Sequence, residues 1–221
     1  HPEPTWHQNT HAELVRRLGQ MGFVACAGDP TLWCKAFAYE GVWVLARVRL
    51  APNSRMTPDE TTEQRLLAHR MAYQTWIDGL WGADLVAYVG HSRLGQGPDF
   101  DPREDDRYQV PARKKFFALP DRMPRDRYQV MVLFCCDSDK YFRGIVTAET
   151  AAGSGKNAAT LDLVTPLSTD YAADEYRRLP LLLYLMMNGA EALALLEKTN
   201  QVRTYRESAT IGAPGLFDPA R

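Results

Sequence analysis

The strongest constraint on this chain is a pair of short runs that are apolar at consecutive rather than alternate positions, DLVAYV at 84–89 and QVMVLF at Gln129–Phe134, and TLDLV at 160–164, broken by Asp162, predicts a further strand. A strand with one face in water alternates apolar and polar side chains. A strand that is apolar nearly throughout needs cover on both faces, as helices on either side of a parallel sheet provide. A fourth run, VWVLARVRL at 42–50, is apolar and β-branched until Arg47 and Arg49 alternate in, and predicts a strand leaving that covered sheet. Between it and 84–89, Leu66, Leu67, Met71, Ile77 and Leu80 mark one side of a helix over 58–81, with Thr57 as N-cap and Gly82 as its stop. Strand, helix, strand predicts a right-handed crossover between parallel strands and an α/β fold.

Around this centre the chain reads as one domain spanning 1–221. Leu14, Val15 and Leu18 recur at helical spacing over 11–21, with Thr10 as cap and Gly22 as stop. Residues 171–200 predict one or two helices, Pro180 opening the second and Asn188 with Gly189 breaking it. The stretch 92–126 is rich in Gly, Pro, Asp and Arg and predicts a long functional loop or insertion. Lys and Arg number 26 against 27 Asp and Glu, so no global field draws in nucleic acid or an anionic membrane, and neither is expected as a partner. No stretch approaches the ~20 apolar residues of a membrane-spanning helix, which predicts a soluble protein. The chain begins at His1, which fits either removal of an export signal or trimming of a longer chain, so the compartment stays open between cytoplasm and export.

Four cysteines are too few for a disulfide-built scaffold. Cys26 and Cys34 either bridge in an oxidising compartment or remain two half-buried thiols, and without a second nearby ligand pair they make no zinc site. No metal or other cofactor is expected. Gly153 to Lys156 lacks the first glycine of a phosphate loop, and Asn157 stands where that loop needs a hydroxyl, so it predicts a surface turn. His1, His7 and His11 predict a solvated chain start.

The runs at 84–89 and Gln129–Phe134 lead into Gly90-His91-Ser92 and into Cys135-Cys136-Asp137-Ser138. If the strands are neighbours, His91 and Cys136 meet at the carboxyl edge of one sheet, where open α/β sheets place their ligands. A thiol is a weak nucleophile at neutral pH until an imidazole takes its proton or stabilises its thiolate. The words Tyr88-Val89-Gly90-His91-Ser92 and Phe134-Cys135-Cys136-Asp137-Ser138 resemble those of the caspase-like cysteine peptidases, the group of legumains, gingipains, separases and caspases. There a hydrophobic strand ends in a Gly-flanked catalytic His and the next core strand in a small residue followed by Cys. Ser92 and Cys135 depart from the usual glycine and alanine.

The resemblance covers roughly residues 42 to 200 in element order and implies a three-layer α/β/α sandwich with a mostly parallel sheet, acting as an endopeptidase on a peptide or protein substrate. It casts His91 as general acid/base and Cys136 as nucleophile, with backbone N–H groups of Gly90 or His91 and of Cys136 as oxyanion donors. Ser92, Asp137, Ser138, Thr165 and Pro166 would line the substrate site, and Cys135, on the opposite strand face, would belong to the core. Asp99, Asp101, Asp137, Asp162 or Asp170 would favour a basic residue before the cut, Arg93 or Arg143 an acidic one. Two other functions share these residues: a non-catalytic interaction module of the same fold, and a cysteine hydrolase of non-peptide esters or amides. Oligomeric state is not legible.

Overall fold

The computed structural model describes residues 5–52, 60–90, 92, 100, 123–124, 126–135, 137–146, 160–166, 172–188 and 211–212. It opens with α1 (Thr5–Gln20), so Thr10 lies inside this helix instead of capping it. Gly22, at φ 85°, ends it: the Gly22 N–H donates to Gly19 O at 2.9 Å and the Phe23 N–H to Leu18 O at 2.9 Å. This paired reverse bonding satisfies the last helical carbonyls, and Leu18 and Phe23, the positions such a motif usually brings into apolar contact, are both buried.

Three antiparallel strands follow, β1 (Val24–Cys26), β2 (Asp29–Tyr39) and β3 (Val42–Arg49), in that order across the sheet. Glu40 at φ 48° and Gly41 at φ 80° form the two-residue turn between β2 and β3, with the left-handed pair of conformations that matches strand twist. Cys26 and Cys34 are joined by a disulfide across β1 and β2. The expected parallel crossover from the strand at 42–50 is therefore corrected. β3 pairs with β2 in this separate sheet and is largely exposed, because a tight turn hands it an antiparallel neighbour before the helix begins.

Next comes α2 (Thr62–Gly82), capped by Thr61, whose hydroxyl accepts from the Gln64 N–H while the Gln64 side chain accepts from the Thr61 N–H. Thr57 lies outside the described residues. The buried side of α2 is His69, Ala72, Trp76, Ile77 and Leu80, whereas Leu66, Leu67 and Met71 are exposed, which corrects the expected face.

The second sheet contains β4 (Leu85–Val89), β5 (Gln129–Phe134) and β6 (Leu161–Pro166), all parallel, with β7 (Ile211–Gly212) antiparallel on β6. Helix α3 (Ser138–Val146) links β5 to β6, and α4 (Ala172–Met187) follows β6. On one face Val86, Tyr88, Met131, Leu133, Leu161 and Leu163 pack with Trp76, Ile77 and Leu80 of α2 and Phe142 of α3. On the other, Val130, Val132, Phe134 and Val164 pack with Leu182 and Leu185 of α4. Cover on both faces explains the consecutive apolar positions, and burying a Leu, Val or Phe side chain this fully contributes about 1.5–3 kcal/mol. Buried Gln129 ties the start of β5 to the end of α2, donating to Leu80 O at 3.0 Å and Ala83 O at 2.8 Å. Helix α4 runs through Pro180 instead of restarting there, and Asn188 closes it by donating from its side chain to Tyr184 O at 2.7 Å.

Candidate active site

Strands β4 and β5 are neighbours in register from Leu85↔Val130 to Val89↔Phe134, so the two chains leave the sheet side by side at its carboxyl edge. The last bond of this pairing is the Gly90 N–H to Phe134 O at 3.2 Å. His91 and Cys136, which follow Gly90 and Cys135, both lie outside the described residues. Thr165 and Pro166 close β6 at the same edge, where β7 pairs with them.

Glycine at 90 is required by the packing of its own strand. A methyl group added there would stand 2.5 Å from the Tyr88 hydroxyl and 2.7 Å from Tyr88 Cζ. The Tyr88 ring is in turn held edge-on by Trp76 and Phe100, with centroids 6.2 and 5.6 Å away. The strand exit before His91 is thus clamped against the aromatic part of the core.

The exit of β5 is a tight turn. The Cys135 N–H donates to Leu133 O at 3.1 Å, the Ser138 N–H to Cys135 O at 3.2 Å, and the buried Ser138 hydroxyl to Leu133 O at 2.7 Å. Asp137 sits at φ 51°, a left-handed conformation that a non-glycine side chain adopts at a cost of about 1–3 kcal/mol, held by these bonds. Its carbonyl accepts the first bond of α3, from the Tyr141 N–H at 3.1 Å. Asp137 thus forms a strained turn that opens a helix, and the start of a helix favours negative charge.

The other expected site residues are distributed as follows. The Gly90 N–H, a candidate oxyanion donor, is engaged by Phe134 O. Ser92 is buried. Ser138 serves the turn, and the fully buried Thr165 hydroxyl donates to Asp139 Oδ1 at 2.9 Å, locking the end of β6 to the first turn of α3. Pro166 is buried at the edge, and Asp137 is half-buried. Cys135, outside the disulfide, is buried within the core cluster beneath α2 and α3. Asp162 lies near the amino end of β6, away from this edge, fully buried and hydrogen-bonded by the Tyr128 hydroxyl, so it does not select a substrate side chain there. Asp99, Asp101, Asp170, Arg93 and the phosphate-loop-like segment 153–156 lie outside the described residues.

Sequence reasoning missed Tyr88, Phe100 and Asp139 as the residues that shape this edge. The signal for Tyr88 was its position two residues before a glycine at a strand end, since alternate strand residues share a face. Phe100 carried no comparable signal: it belongs to the long loop yet packs against Tyr73, Trp76 and Tyr88. Among the described residues no three His, Cys, Asp or Glu side chains are grouped to hold a metal ion. The chain matches no protein-family model, no curated protein and no solved structure.

Proposed function

We propose that this protein is a cysteine endopeptidase of the caspase-like kind, built as a three-layer α/β/α sandwich, with His91 and Cys136 as its dyad. One observation carries the reading: β4 and β5 are adjacent, parallel and in register to Val89↔Phe134, so Gly90 and Cys135, which precede His91 and Cys136 in the chain, leave the sheet at the same edge. Helices on both faces of the sheet support the layered fold.

In this reading His91 accepts the Cys136 proton and Sγ attacks the peptide carbonyl. The developing oxyanion is taken by the N–H groups of His91 and Cys136, since that of Gly90 is engaged in the sheet. His91 then protonates the departing amine, leaving a thioester. Water, deprotonated by His91, releases the acid and restores the thiol. In this reading the amino end of α3, which begins two residues after Cys136 in the chain, favours the thiolate.

The test is the rate at which a peptide carrying a thiol-reactive group labels wild type, Cys136→Ala and His91→Ala, with charged and uncharged residues at the cleavage position. Fast labelling that maps to Cys136 and falls without His91 supports the dyad. Slow labelling shared by the accessible cysteines and indifferent to His91 favours a non-catalytic interaction module.

A further inference from the structure

Among the described residues, strand β3 presents an uncovered edge. Its pairing with β2 runs unbroken from Leu32↔Arg49 to Tyr39↔Val42, and among the described residues nothing pairs with its other side. Folded proteins normally blunt such edges with proline, lysine, bulges or short strands. The opposite edge of this sheet is blunted in that way: β1 has three residues and an irregular register between Ala25 and Cys26. Strand β3 has eight residues and contains no proline, no lysine and no bulge, and its only charges, Arg47 and Arg49, lie in its second half. Its first half is apolar and solvent-facing, with Trp43 77% and Leu45 52% exposed.

The direction of the free backbone groups follows from one bond. The Leu50 N–H donates to Thr31 O at 3.0 Å, directly across from it. Antiparallel strands alternate their bonding sides residue by residue, so Val42, Val44, Ala46 and Val48 turn their amides to β2. Trp43, Leu45, Arg47 and Arg49 turn theirs outward. These four side chains also share one sheet face and are exposed.

We propose that β3 pairs antiparallel with β3 of a second copy of this chain, joining two three-stranded sheets into one of six strands. The sequence VWVLARVR is complementary to itself in this direction. A two-fold axis normal to the sheet at Ala46 sets Trp43 opposite Arg49 of the second copy, Leu45 opposite Arg47, and Val44 opposite Val48. Ala46, the smallest side chain of β3, meets its own copy at the axis. Every outward residue then exchanges both backbone bonds with its counterpart. Each tryptophan gains a guanidinium to stack on, and no arginine directly faces another. A parallel arrangement would set like against like, arginine beside arginine, which disfavours it.

Sedimentation of the full chain over a range of concentrations tests this, using wild type, Leu45→Pro and Trp43→Lys. Leu45 bonds outward, so proline removes a donor from the new seam while leaving every β2–β3 bond in place. Trp43→Lys sets a lysine opposite Arg49 of the second copy. Wild type is expected to sediment at twice the chain mass, and each variant to raise the dimer dissociation constant at least about tenfold. Amide exchange at Trp43, Leu45, Arg47 and Arg49 is expected to be slow in the wild-type dimer and fast in the variants. A wild type that stays monomeric up to about 100 µM, where a contact of only about 5–6 kcal/mol would already show, overturns the proposal. So does a dimer that both variants leave intact. Should Leu45→Pro fail to fold by circular dichroism, Trp43→Lys and wild-type amide exchange decide the matter.

Discussion

Replacing Gly90 by alanine probes the joint between core and site. The added methyl meets Tyr88 at 2.5 Å from its hydroxyl and 2.7 Å from Cζ, closer than real Cβ contacts come. The Tyr88 ring has little room to give way, since Trp76, itself buried, and Phe100 stand edge-on to it. Overpacking of this sort costs about 1–3 kcal/mol, which for a domain of this length lowers Tm by about 2–12 °C. The Gly90 N–H bond to Phe134 O lies at the same joint, so the strand exit ahead of His91 shifts as well. The assay is denaturant unfolding followed by tryptophan fluorescence, with Trp76 as a reporter beside the clash, on Gly90→Ala, Tyr88→Leu and the double variant. Because leucine empties the space the methyl needs, the double variant is expected to be more stable than the sum of the singles by at least about 1 kcal/mol. Strict additivity would refute the claim that Tyr88 makes residue 90 a glycine.

Three further outcomes follow from the same structure. Gln129→Leu leaves Leu80 O and Ala83 O without their buried donor and is expected to destabilise the fold by about 1–3 kcal/mol, read from urea midpoints. Glu13 in α1 accepts from Arg16 and Arg17, and chiefly the Arg16 bond holds its pKa at about 2 against an ordinary 4.5. A depressed carboxylate stabilises the fold fully above its unfolded pKa and loses that contribution as pH falls through the folded value. The helical signal of wild type should therefore weaken between about pH 4.5 and 2 in a way that Glu13→Gln abolishes, a small effect given how exposed the arginines are. Reducing the Cys26–Cys34 disulfide, which closes a short loop, should lower stability by at most about 2.5 kcal/mol, measured as a midpoint shift with and without reductant.

The parallel sheet was legible because β4 and β5 are apolar on both faces, a pattern that a sheet with one face in water does not produce. The antiparallel sheet was not. In β2, Leu32, Cys34, Ala36 and Ala38 share one face and Trp33, Lys35 and Phe37 the other, so small apolar side chains face bulkier, mostly apolar ones and no clear apolar/polar alternation marks the strand. The turn that fixes its pairing is Glu40-Gly41, a weaker hairpin signal than asparagine or aspartate before glycine. With β2 unseen, β3 lacked its true neighbour and was assigned to the wrong sheet. The limits of α2 were read to within a few residues, but it carries apolar residues on two sides, and periodicity alone did not favour Ala72 and Trp76 over Leu67 and Met71 for the core. At the site, the pairing of two strand exits followed from short sequence words. Two of the bonds at that edge, Gly90 to Phe134 and Thr165 to Asp139, join residues remote in sequence and leave no local pattern.

The most direct test of the central claim is turnover. Wild type, Cys136→Ala and His91→Ala are incubated with a diverse peptide mixture, and products and any covalent adduct are identified by mass spectrometry. The account predicts cleavage by wild type alone at a consistent residue type, with an acyl group trapped on Cys136 when the reaction is quenched in acid. Cleavage that survives loss of Cys136, or a folded wild type that leaves every peptide intact, would contradict it.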